Sequence, residues 1–124
     1  MLVVEDDVLV RMPIAQYLRD CGYRVIEAVN ADEAMTVLAH ESTRVDMVFS
    51  DIEMPGAVDG FGLANWIRQH RPGIDVLLTG TVPRAVEAAR DLCAQAPLAK
   101  PYDAKSVHDH IRRLLAARGA AKPP

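Results

Sequence analysis

Five residues of this chain, Glu5, Asp6, Asp51, Thr79 and Lys100, can handle charge and close short apolar runs: "LVVED" at 2–6, "VFSD" at 48–51, "LLT" at 77–79 and "PLAK" at 97–100. Three carboxylates brought together repel one another and raise a pKa unless a positive charge stands among them. A divalent cation is the natural counterweight. The ligands are all oxygens, so a hard ion is expected, and Mg²⁺ suits a site with few carboxylates because it keeps several waters. The three negative charges of Glu5, Asp6 and Asp51 are then balanced by the ion and the Lys100 ammonium. A carboxylate held against such an ion, with a lysine and a hydroxyl nearby, can attack a phosphoryl group and become an aspartyl phosphate. That transfer is mostly positioning and charge neutralisation. Asp51 is the nucleophile of choice, because it stands alone on its run while Glu5 and Asp6 are paired for the metal. Thr79 would donate a hydrogen bond to a phosphoryl oxygen. In the "MPG" break after Asp51, Pro55 presets a loop that must offer a main-chain carbonyl to the ion, that of Glu53 being the candidate.

The elements that must position these residues alternate. Apolar, β-rich runs at 2–5, 24–28, 46–50, 75–79 and 97–100 read as strands, and helical patterns lie between them. In the first helix Val10, Ile14, Tyr17, Leu18 and Cys21 fall on one buried face. Pro13 leaves two readings there: a helix starting near Met12 with the proline in its first turn, or a first turn kinked at the proline. Asn30 followed by Glu33 is a capping-box variant that opens a second helix burying Ala31, Ala34, Met35 and Leu38. A third runs from Phe61 to His70 with Leu63, Trp66 and Ile67 inward, and a fourth spans about Pro83 to Ala94 with Ala85, Ala89 and Leu92 inward. The last begins after Asp103 on Val107, Ile111, Leu114 and Leu115. Strands each followed by a helix predict a parallel α/β sheet covered on both faces, with right-handed crossovers. In such sheets ligands bind outside the carboxyl ends of the strands, which is where the five residues fall.

At 124 residues the chain is one domain, taken as residues 1–118, with 119–124 as a tail or linker. A net charge of −3 argues against direct nucleic-acid binding, which usually needs a basic domain. The two cysteines, Cys21 and Cys93, lie far apart without metal-ligand spacing, each on an apolar helix stripe. They are expected as buried thiols in a reducing cytosol. The first strand begins at Leu2, leaving no room for an apolar leader, and no apolar run reaches membrane-spanning length, so the expected location is cytoplasmic.

The segments "LVVEDD", "SDIEMPG", "LLTG" and "AKPY", in this order over essentially the whole chain, resemble the signature of response-regulator receiver domains of two-component signalling. The resemblance implies a flavodoxin-like (βα)5 sheet of order 2-1-3-4-5. It also implies phosphorylation of Asp51 by a histidine kinase or histidine phosphotransferase, with Mg²⁺ held by Asp6, Asp51 and the Glu53 carbonyl. Glu5 takes the place of the family's first acid, orienting a metal-bound water, and Thr79 and Lys100 match its switch hydroxyl and phosphate-binding lysine. Such a domain is a phosphoacceptor with self-phosphorylation and autodephosphorylation only. The family's usual aromatic three residues before the lysine is Pro97 here, which cannot swap rotamers, and Tyr102 is the candidate substitute.

Bland readings compete at several positions. Asp7 can simply cap the first helix. His108 and His110 are two apart on a helix and do not share a metal, while His40 and His70 sit near helix ends. "GFGLAN" lacks the third glycine of a dinucleotide loop. Two other functions compete with the receiver reading. A small aspartyl-phosphate hydrolase would need a second aspartate where Glu53 stands, and a receiver-like binding module would have no use for the intact acid set. The downstream target is unnamed, and dimerisation through the last helix is left open.

Overall fold

The computed structural model describes residues 1–40 and 42–96. Lys100, Pro97, Tyr102, the expected fifth strand and the expected last helix lie outside the described residues. Within them the chain alternates as the apolar runs require: β1 Leu2–Val4, α1 Val8–Asp20, β2 Ile26–Ala28, α2 Ala31–Ala39, β3 Met47–Asp51, α3 Gly60–His70, β4 Asp75–Thr79 and α4 Val82–Gln95. All strand pairings are parallel and the sheet order is β2-β1-β3-β4, the flavodoxin-like order as far as the described strands run. β1, β3 and the residues facing them are almost entirely buried, which explains why their sequences are continuously apolar.

Side chains alternate across the sheet and build two cores. Leu2, Val4 and Val48 face α2 and α3 with Ala34, Leu38, Leu63 and Ile67. Val3 and Phe49 face the other way, against Val10, Ile14 and Leu18 of α1 and Val82, Ala85, Val86 and Ala89 of α4. The capping signals hold. Asn30 accepts from the Glu33 N–H at 2.8 Å and Asp7 from the Leu9 N–H at 3.0 Å, so Asp7 is the helix cap its bland reading made it. Helix α1 starts at Val8, four residues before Met12, and carries Pro13 in its interior rather than in its first turn. It ends where Gly22, at a φ of 107°, lets the Tyr23 N–H reach back to the Leu18 carbonyl at 3.1 Å.

The cysteines correct the sequence reading. Cys21, at the C-cap of α1, is joined to Cys93 in α4 by a disulfide with Cα atoms 5.3 Å apart. Helical periodicity places each thiol on a buried stripe, but only the packing of α4 against α1 brings the two stripes together. With the cross-link goes the inference of a reducing compartment drawn from these residues. Because the bridge spans a sequence separation of 72, loop-closure entropy predicts that the Cys21→Ser/Cys93→Ser double variant loses about 4 kcal/mol of unfolding free energy. Denaturant titrations of the oxidised wild type and of the variant measure that difference.

Candidate functional site

The register of the strands assembles the site. Val3 pairs with Phe49, and Phe49 with Leu77. This row faces the α1/α4 core, with Leu77 packed against it. Side chains repeat every two residues along a strand, so the next row on the same face is Glu5, Asp51 and Thr79. Asp51 and Thr79 are direct partners in the ladder. An apolar row thus supports a polar one at the carboxyl edge of the sheet. The strand order reverses between β1 and β3, and both acids stand at that switch point, where open α/β sheets bind ligands.

Here the chain leaves water behind. Glu5, Asp51 and Thr79 are 8%, 6% and 6% exposed, while Asp6 is open to solvent. Glu5, Asp6 and Asp51 each offer a carboxylate oxygen, all within 4.8 Å of one another. Burial, and then the charge of Asp51, push the Glu5 carboxyl from its usual 4.5 up to about 8, against the opposing pull of the Asp7 N–H it accepts at 3.1 Å. A hard oxygen-only donor set with excess negative charge fits a divalent ion such as Mg²⁺ that keeps part of its water. Next to it, Asp6, Ile52, Glu53, Met54, Pro55 and Asp59 line an open cleft of about 470 Å³. Glu53 is exposed on its rim, and the loop turns at Gly56 with a φ of 106°. Thr79 is held by its own backbone, its carbonyl accepting from the Ile52 N–H at 3.1 Å. The next helix starts three residues later at Val82, capped by Thr81.

Of the six candidate residues, the structure brings Glu5, Asp6, Asp51 and Thr79 to one edge, with Glu53 on the adjoining cleft; Lys100 is outside the described residues. His70 lies stacked on Trp66 with ring centroids 4.5 Å apart, remote from any metal role.

Two residues escaped the sequence reading. Gly60, read there only as part of a failed dinucleotide loop, opens α3 directly behind Asp51. Its N–H donates to the Ile52 carbonyl at 2.8 Å, and a Cβ there would collide with the Asp51 carbonyl oxygen and stand 2.7 Å from Ile52 Cα. Both obstacles are backbone and cannot swing aside. Gly60→Ala is therefore expected to cost about 2 kcal/mol or more of stability and to weaken metal binding through the displaced Asp51. Thermal melts with and without Mg²⁺ measure both. Arg11 is the second: its guanidinium bridges the Glu5 carbonyl and the Glu27 carboxylate.

Comparison with known proteins agrees with this geometry. The family model described as response regulator receiver domain matches residues 1–112. The response regulator protein FleR of Pseudomonas aeruginosa is 38% identical over 90% of this chain and 24% of its own length. The transcriptional regulatory protein PdtaR of Mycobacterium tuberculosis is 39% identical over 82% of this chain and 49% of its own. The chain thus spans between about a quarter and a half of these relatives. Among solved structures, TrrA of Thermotoga maritima, in complex with Mg²⁺–BeF, is similar at 27% identity and a TM-score of 0.58, covering 91% of this chain and 96% of that one. The chemotaxis response regulator CheY4 of Vibrio cholerae is similar at 26% identity and the same TM-score, covering 91% and 95%. An acid-lined switch point on a 2-1-3-4 parallel sheet, a family match over nearly the full length and relatives of the same kind lead to one conclusion: the chain belongs to the response regulator receiver domains, the phosphoacceptor modules of two-component signalling.

Proposed function

We propose that Asp51 is the phosphoacceptor of this receiver, that Asp6, Asp51 and the Glu53 main chain hold Mg²⁺, and that a histidine kinase or histidine phosphotransferase is the donor. The observation that carries this reading is the meeting of Glu5, Asp6 and Asp51 oxygens within 4.8 Å at the carboxyl edge of the sheet. The Mg²⁺ in the TrrA complex supports the choice of ion. When bound, the ion would neutralise acids and draw together the oxygens of the incoming phosphoryl group.

The chain's own residues do the remainder. Asp51, fixed by the β1–β3–β4 ladder, presents a carboxylate oxygen that forms a bond to phosphorus as the phosphorus–nitrogen bond of the donor imidazole breaks. The leaving imidazole takes up a proton. Glu5 orients water from the buried side. The Thr79 hydroxyl, one strand over, donates to a phosphoryl oxygen, and Lys100 supplies the second positive charge. Exposed Val8, Leu9 and Met12, beside Asp6 at the start of α1, support a donor that covers them when its histidine enters. Output would run through contact with another protein, and the kinase, which draws on ATP, makes the cytoplasm the expected location.

Treatment with a small phosphodonor and Mg²⁺, followed by intact mass spectrometry, tests the reading. One phosphoryl group per chain, labile to hydroxylamine as an acyl phosphate is, supports it. An unchanged mass would reduce the domain to a binding module, and steady turnover of a phosphoester would make it a hydrolase.

A further inference from the structure

Arg11 sits on α1 with its side chain 13% exposed. Its Nη1 donates to the Glu5 carbonyl at 3.0 Å, and its Nε donates to Glu27 Oε1 at 3.1 Å. Glu27 lies opposite Val3 in the β1–β2 register and so faces α1. There its other oxygen is held by Arg19 at 3.2 Å. Glu5 lies just beyond the last residue of β1, with its N–H still paired to the Ala28 carbonyl at 3.1 Å. Its carbonyl is where the strand ladder stops, and Arg11 takes over at that point.

We propose that Arg11 is a positioning residue for the metal site: it fixes the peptide plane joining Glu5 to Asp6, and with it the directions in which the two carboxylates leave the strand. The proposal rests on the metal-site reading above. The peptide unit is planar, so clamping its oxygen also sets the Asp6 N–H and limits the rotation that carries the Asp6 carboxylate. Asp6 is the exposed member of the cluster, with no core packing to hold it, and therefore depends most on its backbone. The guanidinium suits the task because it is a rigid fork, one arm on a carboxylate anchor and the other on the carbonyl. Glu27 in turn is anchored by two arginines and a strand, so the clamp refers the site to β2. A hydrogen-bond partner one step behind a metal ligand typically changes affinity by about 10–100-fold when removed.

The test is titration of the full chain with Mn²⁺, a spin-active substitute for Mg²⁺, followed by electron paramagnetic resonance at one alkaline pH, with thermal melts in parallel. Arg11→Ala is expected to weaken Mn²⁺ binding about tenfold while the chain remains folded. Arg11→Lys, which can reach the carbonyl but not fork, is expected to recover part of that loss, and Glu27→Gln to fall between Arg11→Ala and wild type. Should Arg11→Ala fail to fold, Arg11→Lys and Glu27→Gln carry the same ordering. Affinities within twofold of wild type in folded variants, with only the melting temperature lowered, would overturn the positioning role and leave a structural ion pair. Absence of Mn²⁺ binding by the wild type would overturn the metal-site reading itself, and the positioning role with it.

Discussion

Asp51→Asn is expected to take up no phosphoryl group under conditions that label the wild type once per chain, and to remain folded. Asparagine keeps the shape of the side chain and its place in the β3 ladder, so the packing of Phe49 and Val48 behind it is untouched. It lacks the charged oxygen proposed to attack phosphorus and one of the negative charges proposed to attract the ion. Because Asp51 is a cause of the raised Glu5 pKa, its neutralisation also relieves repulsion, and the metal-free variant is expected to melt no lower than wild type. Loss of labelling therefore cannot be put down to unfolding. Thr79→Ala separates the second role: with the hydroxyl gone but the ladder to Asp51 intact, labelling is expected to slow by about a hundredfold without vanishing. Time courses of intact mass for wild type, Asp51→Asn and Thr79→Ala measure all three behaviours.

Metal affinity is expected to rise steeply with pH through the neutral range and to level off above about 8, the value to which burial and Asp51 push Glu5. With Glu5 pushed up to about 8, an ion that gathers the acids at neutral pH is expected to displace a proton, for about a tenfold gain in affinity per pH unit in that window. The stability of the metal-free protein has the opposite slope. The folded state holds its Glu5 proton from 4.5 up to about 8 while the unfolded chain releases it. The Glu5 contribution is therefore fully present below 4.5 and is lost as pH rises through about 8. Glu5→Gln removes both trends: weaker metal binding without this pH slope, and a metal-free melting temperature above that of wild type on the alkaline side. Calorimetric titrations in buffers of different ionisation heat read the proton released on binding, and melts across the same pH range read the stability.

What the sequence could reveal depended on whether a feature was local. Asp51 at the end of "VFSD", Glu5 and Asp6 after "LVV", and the caps at Asp7 and Asn30 are written in consecutive residues, and each lies at the strand end or helix start expected of it. Long-range geometry was hidden. Periodicity shows that α4 buries Ala85 and Ala89 but not which sheet face receives them. The disulfide between Cys21 and Cys93 follows from that choice of face. The role of Gly60 depends on backbone from β3 passing within van der Waals range of α3, which no spacing reports. Arg11 reads as an ordinary helix cation until β2 brings Glu27 across from it. Pro13 misled by its local meaning: the Asp7 cap starts α1 early enough to carry the proline inside the helix.

Acids just after β1 and at the end of β3 sharing one cation are the premise of the proposed chemistry, and a crystal of the chain soaked in Mn²⁺ tests that most directly. A single anomalous peak within coordination distance of both the Asp6 and Asp51 carboxylates, beside Glu5, is the predicted result. A peak bound elsewhere, or none at a concentration that saturates the protein in solution, would contradict it.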